Sequence, residues 1–88
     1  MNYLSNNSEL KKAHQYCANN KEQLNESSIC GCFYCCKIYS PNDIKEYLNE
    51  KSGTAICPYC GIDSVIAEKS GFKITKEFLK KMHNYWFK

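Results

Sequence analysis

Two Cys-x-x-Cys pairs offer the clearest chemistry in this sequence. Cys32 and Cys35 form the first pair, Cys57 and Cys60 form the second, and residues 36–56 separate them. Two cysteines at this spacing can direct both thiolates inward from one tight turn, which provides half of a tetrahedral metal site, and a distant second pair completes it. The four thiolates predict one structural metal ion. Zinc is expected because it is redox-inert and suits four sulfurs, and iron in a rubredoxin-like site is the alternative.

The three remaining cysteines are predicted to have other roles. Cys30 is expected to be a strand residue that packs inside, and Cys36 fills the position after the first ligand pair. Cys17 and His14 have the i, i+3 spacing of a helical pair and could bind metal. Both lie on a stripe that should pack inward, however, and free cysteine is among the most buried residue types. Core packing is therefore favoured for this pair.

The sequence does not favour an enzyme. His-Asn-His nucleases share a knuckle-and-hairpin layout but need a histidine between the two pairs as general base. Residues 36–56 contain no histidine, and His14 and His83 lie near opposite ends of the chain. The segment Cys57-Pro58-Tyr59-Cys60 has the shape of a thiol-redox motif but lacks the thioredoxin-like strand-helix-strand setting. We predict a non-catalytic protein, with a degenerate nuclease of the His-Asn-His type as the least favoured alternative.

Length and cysteine content agree with a metal-stabilised domain. A chain of 88 residues with seven cysteines has a marginal apolar core, and small domains commonly add disulfides or a metal. The sequence begins without a basic segment followed by an apolar run, and no apolar stretch approaches the roughly 18 residues of a membrane helix. We therefore expect a cytoplasmic protein without a membrane partner, where reducing conditions favour metal binding over disulfides.

Charge and aromatic content suggest two kinds of partner. Residues 69–88 contain six lysines and one acid, Glu77, whereas the first 68 residues contain six lysines and eight acids. Lys73, Lys76 and Lys80 are predicted to share one helix face and could bind nucleic acid without sequence preference, since the chain has no arginine for base reading. The twelve aromatic residues exceed what one small core can hold, and exposed rings favour a protein partner or self-association. The protein partner is the preferred interpretation.

Sequence patterns predict the elements that would position these residues. A helix is expected over 9–24, capped by Ser8 after a polar tail, and two short strands joined at Cys32–Cys35 should follow. Ser40 and Pro41 predict the start of another helix, which would end before Gly53. Further expectations are a strand at 54–56, a helix or a strand at 62–68 with the helix preferred, and a helix from Thr75 to about Phe87 whose Trp86 packs onto the metal module.

These elements predict a small α+β domain around a four-cysteine module that is treble-clef-like or zinc-ribbon-like. Its short β-hairpin would be flanked by an N-terminal and a C-terminal helix. We expect residues 1–28 to form an N-terminal tail and helix, and residues 29–88 to form the zinc-binding domain with its amphipathic C-terminal helix.

From Cys30 to Phe87 the chain resembles a small family of uncharacterised bacterial and phage proteins, called simply cytoplasmic proteins. The likeness lies in Cys30-Gly31-Cys32-Phe33-Tyr34-Cys35, in the block from Cys57 to Ile66, and in Phe78-Leu79, Met82-His83 and Trp86-Phe87. Tyr47 stands where the family has tryptophan, and Ala67 stands where it has glycine. The resemblance implies a cytoplasmic metal-binding domain and supplies no activity.

Overall fold

The computed structural model describes residues 3–49 and 51–87, with side chains from residue 8 onward. Over these ranges the chain is a small α+β protein with three α-helices and two short antiparallel sheets. The helices are α1 (Tyr3–His14), α2 (Lys21–Asn25) and α3 (Lys76–Trp86), and the strands are β1 (Cys30–Cys32), β2 (Ile38–Tyr39), β3 (Glu46–Leu48), β4 (Thr54–Ile56) and β5 (Val65–Ala67). Short 3-10 turns cover Gln15–Cys17, Pro41–Asp43 and Glu68–Ser70.

The larger sheet has the strand order β2-β1-β5, and all of its pairs are antiparallel. Cys30 of β1 lies opposite Tyr39 on one side and Ala67 on the other. Strands β3 and β4 form the second sheet. The predicted pair of strands around Cys32–Cys35 and the predicted strand at 54–56 are both confirmed.

The prediction of one continuous helix over 9–24 is wrong. Helix α1 begins at Tyr3, so Ser8 lies inside it instead of capping it, and the helix ends at His14. The break follows from the side chain of Asn20, which is 1% exposed. Its amide donates to the carbonyl of Val65 at 2.8 Å, and its oxygen accepts from the backbone N–H of Ala55 at 3.1 Å. These bonds to β4 and β5 hold Asn20 between two helical segments.

The helix predicted from Ser40 is also wrong beyond its first turn. The Ser40 hydroxyl does accept a hydrogen bond from the N–H of Asn42 at 3.1 Å, but only the 3-10 turn Pro41–Asp43 follows. Residues 46–48 form β3 and pair with β4 instead. The backbone N–H and C=O groups of this segment are therefore satisfied by the strand ladder and not by helical hydrogen bonds. Within 62–68 the preferred helix is also wrong and the strand alternative is found: Val65–Ala67 forms β5, which is fully buried beside β1.

The C-terminal helix has the predicted start and packs closely on the larger sheet. The Thr75 hydroxyl accepts from the N–H of Phe78 at 3.1 Å, and Leu79 and Met82 are fully buried. A Cβ at Gly31 would lie 2.8 Å from a Leu79 methyl group, so only glycine allows this approach. Helix α3 thus lies directly against β1, the strand that leads into the first cysteine pair.

Two clusters form the core. One joins α1, α3 and the larger sheet through Leu10, Ala13, Cys17, Phe33, Ile66, Ile74, Leu79 and Met82. The other surrounds the cysteine pairs and contains Leu24, Cys30, Cys32, Tyr39, Ala55, Cys57, Val65 and Ala67. None of the described helices is both long enough and apolar enough to cross a bilayer.

Candidate metal centre

The first cysteine pair lies on a tight turn between β1 and β2. The N–H of Cys36 donates to the carbonyl of Cys32 at 2.7 Å, and the N–H of Cys32 donates to the carbonyl of Lys37 at 3.0 Å. The N–H of Tyr34 points at the Cys32 sulfur at 3.3 Å. This turn, residues 32–37, is called the first knuckle.

The second pair lies on a turn with the same hydrogen bonds. The N–H of Gly61 donates to the carbonyl of Cys57 at 2.9 Å, and that of Cys57 donates to the carbonyl of Ile62 at 3.0 Å. The N–H of Tyr59 lies 3.4 Å from the Cys57 sulfur. We call residues 57–62 the second knuckle. The two knuckles therefore present their sulfurs in the same way, from opposite sides of one cluster.

The four sulfurs meet at the spacing that one metal ion requires. All four Sγ atoms lie within 4.8 Å of one another. Cys32 and Cys60 are 3.6 Å apart, and Cys35 and Cys57 are 3.8 Å apart. A tetrahedral site with metal–sulfur bonds of about 2.3 Å places its sulfurs about 3.8 Å apart, whereas a disulfide needs about 2 Å. The four predicted ligands are close enough to coordinate one metal ion, and no described cysteine forms a disulfide.

Burial divides each pair into an inner and an outer sulfur. Cys32 and Cys57 are buried, whereas Cys35 and Cys60 are partly exposed. The Ser64 hydroxyl lies 3.2 Å from the Cys32 sulfur and can donate to it when it is a thiolate. Such outer contacts orient metal ligands and stabilise their charge. Ser64 was not identified from the sequence, where nothing distinguishes it from any other loop serine.

Tyr39 is a second neighbour that the sequence did not reveal. Its hydroxyl is buried and has no protein hydrogen-bond partner at standard geometry. It nevertheless interacts with the thiol of Cys57 closely enough to affect that group's pKa. Burial alone would raise the pKa of Cys57, but the Tyr39 hydroxyl and the N–H groups of Tyr59 and Cys60 favour the thiolate more strongly, so the pKa is lowered. An otherwise unpaired buried donor beside this sulfur fits a ligand that is negatively charged.

The thiols of Cys32 and Cys60 have the opposite tendency, a raised pKa. Burial is the largest cause that raises the pKa of Cys32 and of Cys60 above the ordinary thiol value. A neutral thiol cannot coordinate metal well, so binding of a cation must release protons from these sulfurs.

The remaining cysteines, Cys17, Cys30 and Cys36, do not belong to the group of four converging sulfurs, which agrees with the other roles predicted for them. Cys30 is fully buried and its sulfur lies 3.5 Å from the carbonyl of Tyr39, and burial raises its pKa to about 12. Cys17 is 8% exposed, and burial raises its pKa to about 11. Cys36 is partly exposed and has a left-handed backbone with φ 63°. An alignment of the two Cys-x-x-Cys segments would have predicted the left-handed backbone of Cys36, because Cys36 corresponds to Gly61.

Helix α3 covers the first knuckle and leaves the second one open. Phe33 at the first turn is 1% exposed, and its carbonyl lies 3.2 Å from Nδ1 of His83. The Tyr34 ring lies 5.0 Å from that of Phe87. In the second knuckle Tyr59 is 53% exposed, and its hydroxyl donates to Asp43 at 2.9 Å. The two knuckles have matching backbone hydrogen bonds, but α3 packs on the first knuckle, whereas Asp43 contacts the second.

Trp86 lies in a different place from the one predicted. It is 37% exposed, its indole N–H donates to the carbonyl of Leu10 at 3.3 Å, and its ring lies 4.1 Å from that of His14. Trp86 therefore joins α3 to α1 at the surface instead of packing onto the metal module. The reason is the position of α3, whose Leu79 and Met82 occupy the buried face.

The three lysines predicted to bind nucleic acid are exposed along the C-terminal part of the chain. Lys76 and Lys80 lie one helical turn apart on α3, but Lys73 precedes the helix, so the prediction that all three lysines share one helix face is wrong for Lys73. Both helical lysines lie near enough to Cys36 to act on its charge. Lys76 and Lys80 are thus next to the first knuckle.

Comparison with known proteins identifies no relative. No protein-family model, no curated protein and no solved structure matches the chain. The resemblance to the cytoplasmic protein family therefore stays a prediction. The geometry itself defines a small α+β protein whose four clustered cysteines can coordinate one metal ion.

Proposed function

We propose that this chain is a non-catalytic binding domain whose fold is held together by one structural zinc ion. The observation that supports it best is the convergence of four sulfurs within 4.8 Å from two knuckles of matching backbone. Each knuckle directs its backbone N–H groups towards sulfur, an arrangement that suits thiolates. The ion would link two segments that are far apart in sequence.

A structural role fits the ligand set better than a catalytic one. A catalytic zinc site keeps one position open for water or substrate, whereas four cysteines fill the tetrahedron. The domain would be zinc-ribbon-like, because β5 follows the second knuckle where a treble clef would begin a helix. Seven free thiols suit a reducing compartment, and we place the protein in the cytoplasm on that ground.

Metal analysis tests this proposal directly. Protein purified from zinc-supplemented cells should contain close to one zinc per chain by mass spectrometry of the metal. A chelator should then unfold it, because the binding energy of a structural zinc is folding energy, on the order of 10 kcal/mol. Well-folded protein that contains no metal would refute the proposal, and stoichiometric iron would replace zinc with the rubredoxin-like alternative.

A protein partner is the second candidate function, and the second knuckle is the feature that favours it. Among the described residues, Tyr59 has the largest exposed fraction of the exposed large hydrophobic side chains, at 53%. Tyrosine is favoured as a contact anchor. Light scattering of the purified chain, together with Tyr59→Ala, would test self-association: the wild type should dimerise and the variant should not.

A further inference from the structure

One side of α3 continues into the first knuckle as a single surface. Lys76, Lys80, His83 and Phe87 follow one another at i, i+4, i+7 and i+11, which places them on one side of the helix. Tyr34 of the first knuckle lies beside them, with its ring 5.7 Å from His83 and 5.0 Å from Phe87. These five residues are called the aromatic–basic ridge.

The two outer rings of the ridge are both exposed and held in place. Tyr34 is 43% exposed and Phe87 is 39% exposed. Their rings meet edge to face at 85°, so the contact does not stack the two rings on each other. Phe87 also lies 5.6 Å from the buried ring of Phe33. The ridge therefore presents aromatic surface that costs little conformational entropy to use.

The charge of the ridge is positive. Lys76 and Lys80 are exposed, and Lys73 extends the same basic region towards the N-terminus of α3. Lys80 and His83 line a surface depression together with Tyr34, Cys36 and Asn84, none of which is acidic. An anionic ligand with flat apolar groups would complement both the lysines and the rings.

We propose that the aromatic–basic ridge binds single-stranded nucleic acid, with bases stacked on Tyr34 and Phe87 and phosphates paired with Lys76 and Lys80. Aromatic side chains beside a basic groove are the usual means of binding unpaired strands, since every base has a face to stack. A duplex hides those faces. Without arginine the ridge has no bidentate contact for guanine, so binding is indifferent to sequence. This inference rests on the proposed function and names the partner of that domain.

A second copy of the chain fits the ridge less well. Self-association through this surface would bring Lys76 and Lys80 of both copies together, and like charges at an interface oppose binding. An acidic protein would also complement the positive charge of the ridge. The experiment therefore compares binding of an acidic polypeptide with binding of the oligonucleotide.

The probe is a fluorescent oligothymidylate of about 12 nucleotides, titrated with the zinc-loaded full chain at low salt. Anisotropy should show binding that weakens steeply as salt rises, and a labelled duplex of the same length should bind more weakly. Tyr34→Ala should weaken binding about 5- to 150-fold, the range for loss of one stacked base. Tyr85→Ala is the matched control, because Tyr85 is an exposed aromatic residue of α3 that lies outside the ridge, and its loss should have no effect.

The lysines are tested by a charge-matched pair of double variants. Lys76→Gln with Lys80→Gln should lower the affinity and reduce the salt slope by roughly 1.4, about 0.7 for each phosphate contact to a single strand. Lys45→Gln with Lys51→Gln removes the same charge from exposed positions near the second knuckle and the smaller sheet, and it should leave the slope unchanged. The exposed lysines also keep the test decisive if Tyr34→Ala fails to fold.

Metal content is measured for every variant, so that the two proposals fail separately. Folded, zinc-loaded protein that does not bind the oligonucleotide would overturn the ridge as a nucleic-acid site and leave the zinc domain standing. The nucleic-acid proposal would also be overturned if both lysine double variants lost the same affinity, or if the duplex bound more tightly than the single strand. It would be overturned as well if neither Tyr34→Ala nor the Lys76 and Lys80 double variant changed the affinity. Binding of an acidic polypeptide such as polyglutamate more tightly than the oligonucleotide would assign the ridge to a protein partner.

Discussion

Cys36 and Gly61 occupy equivalent positions in the two knuckles and share a left-handed backbone, with φ of 63° and 80°. Each follows the second cysteine of its pair and donates its N–H to the carbonyl of the first. Glycine adopts this conformation freely, whereas a residue with a Cβ does so at a cost of about 1 kcal/mol. The first knuckle thus contains a strained residue where the second has none.

Replacing these two residues should isolate that cost. Cys36→Gly should be about 1 kcal/mol more stable than Cys36→Ala, since both lack the thiol and differ only in the Cβ. Gly61→Ala should lose about the same amount, even though a Cβ there would meet nothing within 4 Å. Chemical denaturation of the zinc-loaded variants measures both differences. Equal stability of the Ala and Gly variants at position 36 would show that its backbone is not strained.

Loss of one ligand should differ sharply from loss of a buried packing thiol. Cys57→Ser leaves a three-sulfur site with the second knuckle half detached, so soluble expression and metal retention should both collapse. Cys17→Ser changes only the packing of the 3-10 turn that follows α1 and should cost at most about 3 kcal/mol with zinc retained. Zinc analysis of the soluble fraction compares the two. A folded Cys57→Ser protein with full zinc would remove this residue from the ligand set.

Asn20 is predicted to be the most sensitive polar residue outside the cysteine pairs. Asn20→Ala would leave the N–H of Ala55 and the carbonyl of Val65 buried without this partner, at a cost of about 2–4 kcal/mol. Asn20→Asp should be at least as damaging, because its oxygen would face the Val65 carbonyl. Thermal unfolding measures both variants, and Asn25→Ala, at an exposed asparagine at the end of α2, is the comparison. Wild-type stability in Asn20→Ala would contradict the bridging role.

Trp86→Ala should destabilise the chain less than removal of a core tryptophan would. With 37% of the side chain exposed, we expect a loss of about 2 kcal/mol instead of the 3–5 kcal/mol of a fully buried ring. The loss should come from the contacts with His14 and with the Leu10 carbonyl. Denaturation gives the stability, and acrylamide quenching of the single tryptophan should be intermediate. Full protection from the quencher would show that Trp86 is buried in the core, which would contradict its partly exposed position.

Local sequence signals predicted those features that depend on short-range geometry. The cysteine spacing identified the four sulfurs that converge, and Thr75 identified the start of α3. Ser40 with Pro41 correctly predicted a first helical turn but not that the helix stops there. It stops because β3 pairs with β4, a strand that comes later in the chain and that local residues do not reveal. Asn20 ends the N-terminal helical segment through partners 35 and 45 positions away. Such contacts leave no trace in the residues around Asn20.

The unequal support of the two knuckles has a kinetic consequence. Helix α3 holds the first knuckle through Phe33 and His83, whereas Tyr59 of the second knuckle is 53% exposed and is held at its hydroxyl by Asp43, outside the helix. An incoming ion should therefore meet Cys32 and Cys35 already arranged, and the second pair should close over it. Release should run in reverse, with a competing chelator first reaching the partly exposed sulfur of Cys60. Direct exchange of one ion for another would then proceed while α1, α3 and the larger sheet remain folded, whereas removal of the ion without replacement would unfold the chain.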